Sequence, residues 1–542
     1  MARLSRRPLL AIVLLAAALH ALGVARSLLP AQDGLKFLRT ARAFQTRPWA
    51  DVVRDTDQHP LYPALVALAE PAVAAFAGRG PDTWRIAAQL VSTLAALVLL
   101  FPLHGLTRTL FGERVADLAA LGFVLLPGPM AVGHDTLSDS LALCAFLVAL
   151  RLGLAALTTE SWRAAVGCGF VAGLGFLARP EVLVVPCGVL AAGAWKALLE
   201  RAHAPKLRGL APRLAGVAVV FLAMVGGYAL VKGEVSEKLA MRSSATLGTK
   251  TVRAPKAVRA PRQWLPEGLD DPRWDFSPKE EPREVPRRGV GEVLKDLAFQ
   301  WSEGLGWVLV IFAVWGIVRD GFIRDRLAAE GKERPDLDGN GRRLVIAYLV
   351  LFTAVLVRHE LRMGYLSHRH TLTLVMVSLP WAAAALDLCA RRAAEVLRLD
   401  RRRARLAGVV VLTLAVGTGV WLQMKPPHPS RWGHWAAGRW LVEHSGPGDA
   451  VLDTRGWAAF VSECPSYDYW HVRQALTDAH LSYVVVGDDE LRAKSRRAET
   501  LRAVLAYAAE PVAGFPERRG GHDVGVRVYR FQRPDSWEGL RP

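Results

Sequence analysis

Apolar stretches of spanning or near-spanning length recur eleven times along the chain, over residues 8–30, 84–104, 116–132, 137–157, 164–178, 182–199, 213–231, 304–319, 343–357, 370–388 and 406–424. About 20 such residues cross the hydrocarbon core as a helix, and a lipid-embedded backbone must satisfy its own hydrogen bonds. The pattern therefore predicts an α-helical polytopic membrane protein of about eleven spans. A twelfth stretch, 61–78, decides the topology. Arg108 with Arg114, Lys196 through Arg213, Arg319 through Arg343, and Arg391 through Arg405 form four basic loops. They all lie inside, as the positive-inside rule demands, only if the N-terminus is cytoplasmic and 61–78 does not cross. That segment reads as a re-entrant or interfacial helix. Arg3, Arg6 and Arg7 precede the first apolar run, whose length and lack of a small-x-small cleavage site favour a retained helix over a signal peptide.

A formal charge of +18 in a chain that is 52% hydrophobic points to Lys and Arg retained in cytoplasmic loops, so nucleic acid is not the expected partner. Cys144, Cys168, Cys187 and Cys389 lie in apolar segments and Cys464 in a polar one, with neither a disulfide framework nor a zinc spacing. Residues 1–424 read as the transmembrane domain, with outer loops at 31–83 and 232–303. The start of the first loop is amphipathic, with Leu35, Leu38 and Ala41 flanked by Lys36, Arg39 and Arg42. The second is rich in Pro, Arg and Glu. Residues 425–542 read as a small extracytoplasmic α/β domain: helix at 435–444, strand at 450–453, helix at 472–479, strands at 482–486 and 524–531.

Polar residues collect on the outer face. Asp33 follows the first span, where a partly desolvated carboxylate suits a general base or a helix N-cap. Asp57, His59 and Tyr62, in Asp57-Gln58-His59-Pro60-Leu61-Tyr62-Pro63, suit acceptor orientation, phosphate contact or helix entry. Asp139 begins a span, a costly place for an acid unless it caps the helix or faces a polar cavity. Arg179-Pro180-Glu181 interrupts a hydrophobic hairpin. Arg358, His359, Glu360, Arg362, Tyr365, Ser367, His368, Arg369 and His370 form the richest cationic group on this face. Arginines there suit bidentate phosphate binding, or snorkelling at the boundary. A carboxylate beside outer arginines fits a lipid-phosphate donor whose leaving phosphate is stabilised by cations, with no metal required.

These residues resemble the GT-C membrane glycosyltransferases related to protein O-mannosyltransferases and the aminoarabinose lipid A transferase, a family-39-like group. The resemblance covers most of residues 8–390. It rests on Asp33, on His59-Pro60-Leu61-Tyr62-Pro63, on Arg85 through Phe111-Gly112, on Ser138-Asp139, on Gly173 through Arg179-Pro180-Glu181, and on Tyr365-Leu366-Ser367-His368-Arg369-His370. It implies a GT-C-like fold in the inner membrane and inverting transfer of a sugar from a polyprenyl-phosphate donor to a protein, lipid or glycan acceptor. It implies Asp33 as base and Asp57 as a second acid. Arg369 matches the family's Arg-Tyr element, with His370 where Tyr is usual. Arg369, Arg358 and Arg179 are the candidate donor-phosphate ligands. His59, Tyr62, Asp139, Glu181, Tyr365 and His370 are the candidate substrate contacts. No metal or cofactor is called for. A transporter or flippase of an anionic lipid or solute is the competing reading, although internal repeats are absent. A scaffold presenting the C-terminal domain would leave the outer charges without a role.

Overall fold

The computed structural model describes residues 7–159, 161–199, 209–235, 274–276, 288–323, 339–425, 428–537 and 540. In chain order the helices are α1 (Arg7–Arg26), α2 (Gln32–Thr46), α3 (Trp49–Asp55), α4 (Leu61–Ala77), α5 (Pro81–Phe111), α6 (Glu113–Leu125), α7 (Pro127–His134) and α8 (Asp139–Thr158). There follow α9 (Trp162–Ala178), α10 (Val184–Leu199), α11 (Leu210–Lys232), α12 (Val290–Leu305), α13 (Val308–Val318), α14 (Asn340–Met363), α15 (His368–Val396) and α16 (Arg401–Gln423).

Among the described residues eight helices are long and apolar enough to cross a membrane, or up to ten if each of two bent pairs is one span. Two of the expected stretches are bent rather than continuous. The stretch at 116–132 is broken at Leu126, where Pro127 starts α7 and the two pieces meet at 66°. The stretch at 304–319 is broken at Gly306 and Trp307, both at positive φ, and bends by 111°. Helix α9 has only 17 residues, which at about 1.5 Å per residue falls short of a ~30 Å core. It nonetheless runs between the two ends of the bundle, from beside the close of α8 to Arg179 at the start of α8, with Trp162, Val166 and Phe170 exposed along one face. A Cβ on Gly169 would stand 2.6 Å from the Val217 carbonyl oxygen of α11, so glycine lets the two backbones meet. Helix α15 is the centre of the bundle, 83% buried along its apolar window, and α16 is peripheral at 6%.

Contacts define two ends of the bundle. At one, Arg114 of α6 pairs with buried Asp387 near the end of α15, Arg342 of α14 pairs with Asp320 after α13, and Lys196 of α10 donates to the Leu157 carbonyl of α8. The described residues that flank the basic loops gather here. At the other end lie the close of α1, the starts of α8 and α15, and the closes of α9 and α11. Both termini of α4 belong to this second end. His59, just before α4, stacks on Tyr228 near the close of α11, and Lys232 donates to the Arg54 and Thr56 carbonyls. Past its other terminus, Arg85 of α5 donates to the Ser27 carbonyl beyond α1.

The C-terminal domain carries β1 (Ala450–Asp453), β2 (Ser466–Tyr467), β3 (Leu481–Gly487), β4 (Ala509–Pro516) and β5 (Val524–Phe531). The sheet order is β2-β1-β3-β5-β4, with β1 parallel to β2 and β3, and β5 antiparallel to β3 and β4. Its core is completed from the second outer loop. Trp274 and Phe276 are buried among Leu476, Val484, Leu505 and Phe531, and Tyr469 donates to the Asp275 carbonyl. The domain is thus assembled from two separated pieces of chain. Trp274→Ala is expected to destabilise it by about 3–5 kcal/mol, the usual cost of removing a buried aromatic. Thermal unfolding followed by proteolysis of the C-terminal domain would read this; an unchanged midpoint would contradict the assembly.

Candidate active site

Asp33 stands in the first turn of α2, after Ala31, and makes no side-chain capping bond. The cap role open at the sequence level is therefore not the one it plays. Its carboxylate is 58% exposed and accepts one hydrogen bond, from Arg369 Nη1 at 3.3 Å. Arg369 sits in the first turn of α15, a helix started by a reciprocal cap between Ser367 and His370. Its Nη2 reaches Asp139 at 3.0 Å. Asp139, only 4% exposed, also accepts from Arg179 Nη1 at 2.6 Å, and Arg179 forks back onto Glu181 at 3.3 Å. The result is a continuous alternation of charge, Asp33, Arg369, Asp139, Arg179, Glu181, drawn from α2, α15, α8 and the turn after α9.

A buried carboxylate is tolerable only if paired, and two guanidiniums over-satisfy Asp139. Each arginine keeps donors for another anion. Arg369 Nε is buried and has no acceptor among the described residues. Beneath the charges lies a cavity of about 80 Å³, room for only a few waters. Its lining combines Arg179, Arg369, His359 and His370 with the apolar Phe146, Phe352, Val355 and Leu356. His359, Tyr365 and His370 form a ring cluster with centroids 4.8–5.9 Å apart.

The structure brings together Asp33, Asp139, Arg179, Glu181, Arg369 and His370, and sets Tyr365 beside them. Other candidates stand apart. Asp57 is half-exposed and pairs with Lys36 at 3.8 Å. Arg358 is exposed on α14. His59 is buried between Tyr228 and the edge of Phe176, and Tyr62 is buried with its hydroxyl donating to the Ala88 carbonyl at 3.0 Å. Both rings pack the base of α4 rather than line the cavity. Among the described residues no three His, Cys, Asp or Glu side chains converge to hold a metal ion.

One functional residue had no assigned role at the sequence level. Asp135, buried between α7 and α8, binds Arg431 at 2.9 Å and His428 at 3.1 Å, both from the start of the C-terminal domain. Burial alone would raise its pKa, but the His428 bond and the Arg431 charge outweigh it and hold the carboxyl well below its ordinary range. The stabilisation is present above the ordinary value of 3.8 and is lost only as pH falls through the lower folded value. The only sequence signal was an acid four residues before Asp139. Its partners lie about 300 residues away.

A family model for dolichyl-phosphate-mannose-protein mannosyltransferase matches residues 74–229. No curated protein matches the sequence. Solved structures share the fold at low identity. The archaeal oligosaccharyltransferase AglB from Archaeoglobus fulgidus, in complex with an inhibitory peptide and a dolichol-phosphate, is 12% identical, with 96% of this chain and 75% of that chain covered at a TM-score of 0.57. ArnT from Cupriavidus metallidurans, bound to undecaprenyl phosphate, is 14% identical, with 98% of both chains covered at a TM-score of 0.55. The fold is that of the GT-C membrane enzymes.

Proposed function

We propose that this chain is an integral-membrane glycosyltransferase that moves a sugar from a polyprenyl-phosphate donor to an acceptor on the extracytoplasmic face, with inversion. The observation that carries the reading is the charge chain at a cavity lined in part by apolar side chains. A lipid phosphate needs both: cations for its head and an apolar path for its tail. The matched mannosyltransferase model and the lipid phosphates held by ArnT and AglB support the same donor class.

In this scheme the donor phosphate takes up the free donors of Arg369 and Arg179. The acceptor hydroxyl or amine attacks the anomeric carbon and hands its proton to Asp33. The bond from that carbon to the phosphate oxygen breaks, and the polyprenyl phosphate leaves with its negative charge held by the guanidiniums. Glu181, Tyr365 and His370 are proposed to contact the acceptor or the sugar.

Purified protein supplied with polyprenyl-phosphate sugars and membrane extract is expected to release polyprenyl phosphate and glycosylated acceptor; no transfer from any donor would favour transport. Sidedness rests on the basic loops. With the five native cysteines replaced by alanine, Arg79→Cys, just past α4, should label from the same side as the C-terminal domain. Labelling from the opposite side would overturn the non-crossing reading of 61–78.

A further inference from the structure

We propose that the C-terminal domain is a positioning device for Asp33, acting through Arg431 and Trp457 on the turn between α1 and α2. The inference rests on the reading of Asp33 as base. Three consecutive residues of this turn have a backbone group held by distant side chains. The Leu29 carbonyl accepts from Arg431 Nη1 at 2.8 Å, and the Pro30 carbonyl accepts from Trp457 Nε1 at 2.9 Å. The Ala31 amide donates to Asp135 Oδ1 at 3.0 Å and Thr136 Oγ1 at 2.9 Å. Two of these four anchoring side chains, Arg431 and Trp457, come from more than 400 residues away in sequence.

The grip continues into α2. Arg431 holds the Leu29 carbonyl and Asp135 with one guanidinium, so the domain, the α7–α8 loop and the turn are locked to one another. The Ala31 carbonyl accepts the Leu35 amide, the bond that opens α2, and Asp33 lies inside that turn. A Cβ on Gly34 would come within 1.9 Å of Thr136 Oγ1, so α2 cannot shift toward the loop. Leu29 and Leu35 close the other side by packing on Trp457. Plain attachment of the domain is served separately by rim pairs, Arg39 with Asp468 and Arg42 with Glu463. The buried bonds fix instead the backbone that carries the carboxylate. Misplacement of a catalytic group by about 1 Å can cost roughly 10²-fold in rate.

Two conservative variants of the full-length protein test this. Trp457→Phe keeps the ring and deletes one donor; Arg431→Lys keeps the charge on Asp135 but loses the fork. Arg39→Ala, which touches none of these groups, is the control. Both variants are expected to lower kcat about tenfold with the donor KM within about twofold of wild type, while the amides of residues 29 and 31–35 exchange with deuterium at least about tenfold faster. Unchanged kcat or unchanged exchange in both, or an equal loss of kcat in Arg39→Ala, overturns the proposal. If wild type itself transfers no sugar, the glycosyl-transfer reading fails instead, and the exchange rates still decide whether these residues hold the turn.

Discussion

Asp33→Asn is expected to lower sugar transfer by about 10² to 10⁴-fold, the usual contribution of a positioned general base, with little change in donor KM. The isosteric amide can still accept a hydrogen bond from Arg369, so the charge chain keeps its geometry. What it loses is the capacity to take the acceptor proton. Because the Asp33 side chain is 58% exposed and makes one bond at 3.3 Å, the substitution should leave folding nearly untouched. A fall in kcat at constant thermal midpoint therefore reports chemistry. Initial rates across donor concentrations would read the split; a change confined to KM would contradict the role of base.

Arg369→Ala is expected to act chiefly on donor binding. A hydrogen bond to a charged group contributes about 1.5–3 kcal/mol, so loss of the phosphate contact should raise the donor KM roughly 10- to 150-fold. The variant also removes one of the two cations on Asp139. The stability cost stays below the ~3–5 kcal/mol of an orphaned buried charge because Arg179 still holds that carboxylate at 2.6 Å. Arg369→Lys should lie between, since an ammonium keeps charge but cannot span Asp33 and Asp139 together. An unchanged donor KM in the alanine variant, measured on folded protein, would remove Arg369 as a phosphate ligand.

Much of the fold was written in periodicity and charge. Each apolar stretch became a helix, and the observed strands Ala450–Asp453 and Val524–Phe531 have the bounds read from their residues. What escaped depended on distant partners. Strand β4 holds Pro511 and Pro516, which disqualify a central strand but suit the sheet edge it occupies. Trp274 stood in a polar loop with nothing nearby to bury it; its partners lie some 200 residues on. The bends at Leu126 and at Gly306-Trp307 are local backbone events inside uninterrupted hydrophobicity, which hydropathy alone does not register.

The site divided in the same way. Asp33, Asp139, Arg179 and Arg369 were legible because charged residues at membrane depth need partners or a cavity, and they proved to be one another's partners. His59 and Tyr62 carry polar atoms in the same kind of motif, yet both are buried in the packing around α4. An amphipathic ring can satisfy its polar tip inside a core, and no local pattern separates that from a substrate contact. The Asp135 latch was hidden because its acid and its arginine are joined only by the docking of two domains.

In the proposed reaction a polyprenyl-phosphate sugar is cleaved at this charge chain with Asp33 as base. Phosphorus NMR of purified protein mixed with such a donor and membrane-derived acceptor tests it most directly, because sugar transfer converts a phosphodiester into a phosphomonoester. Wild type should show the monoester growing only when acceptor is present, and Asp33→Asn should leave the diester intact over the same period. A diester that persists with every donor and acceptor tried, or equal conversion by wild type and Asp33→Asn, would contradict the account.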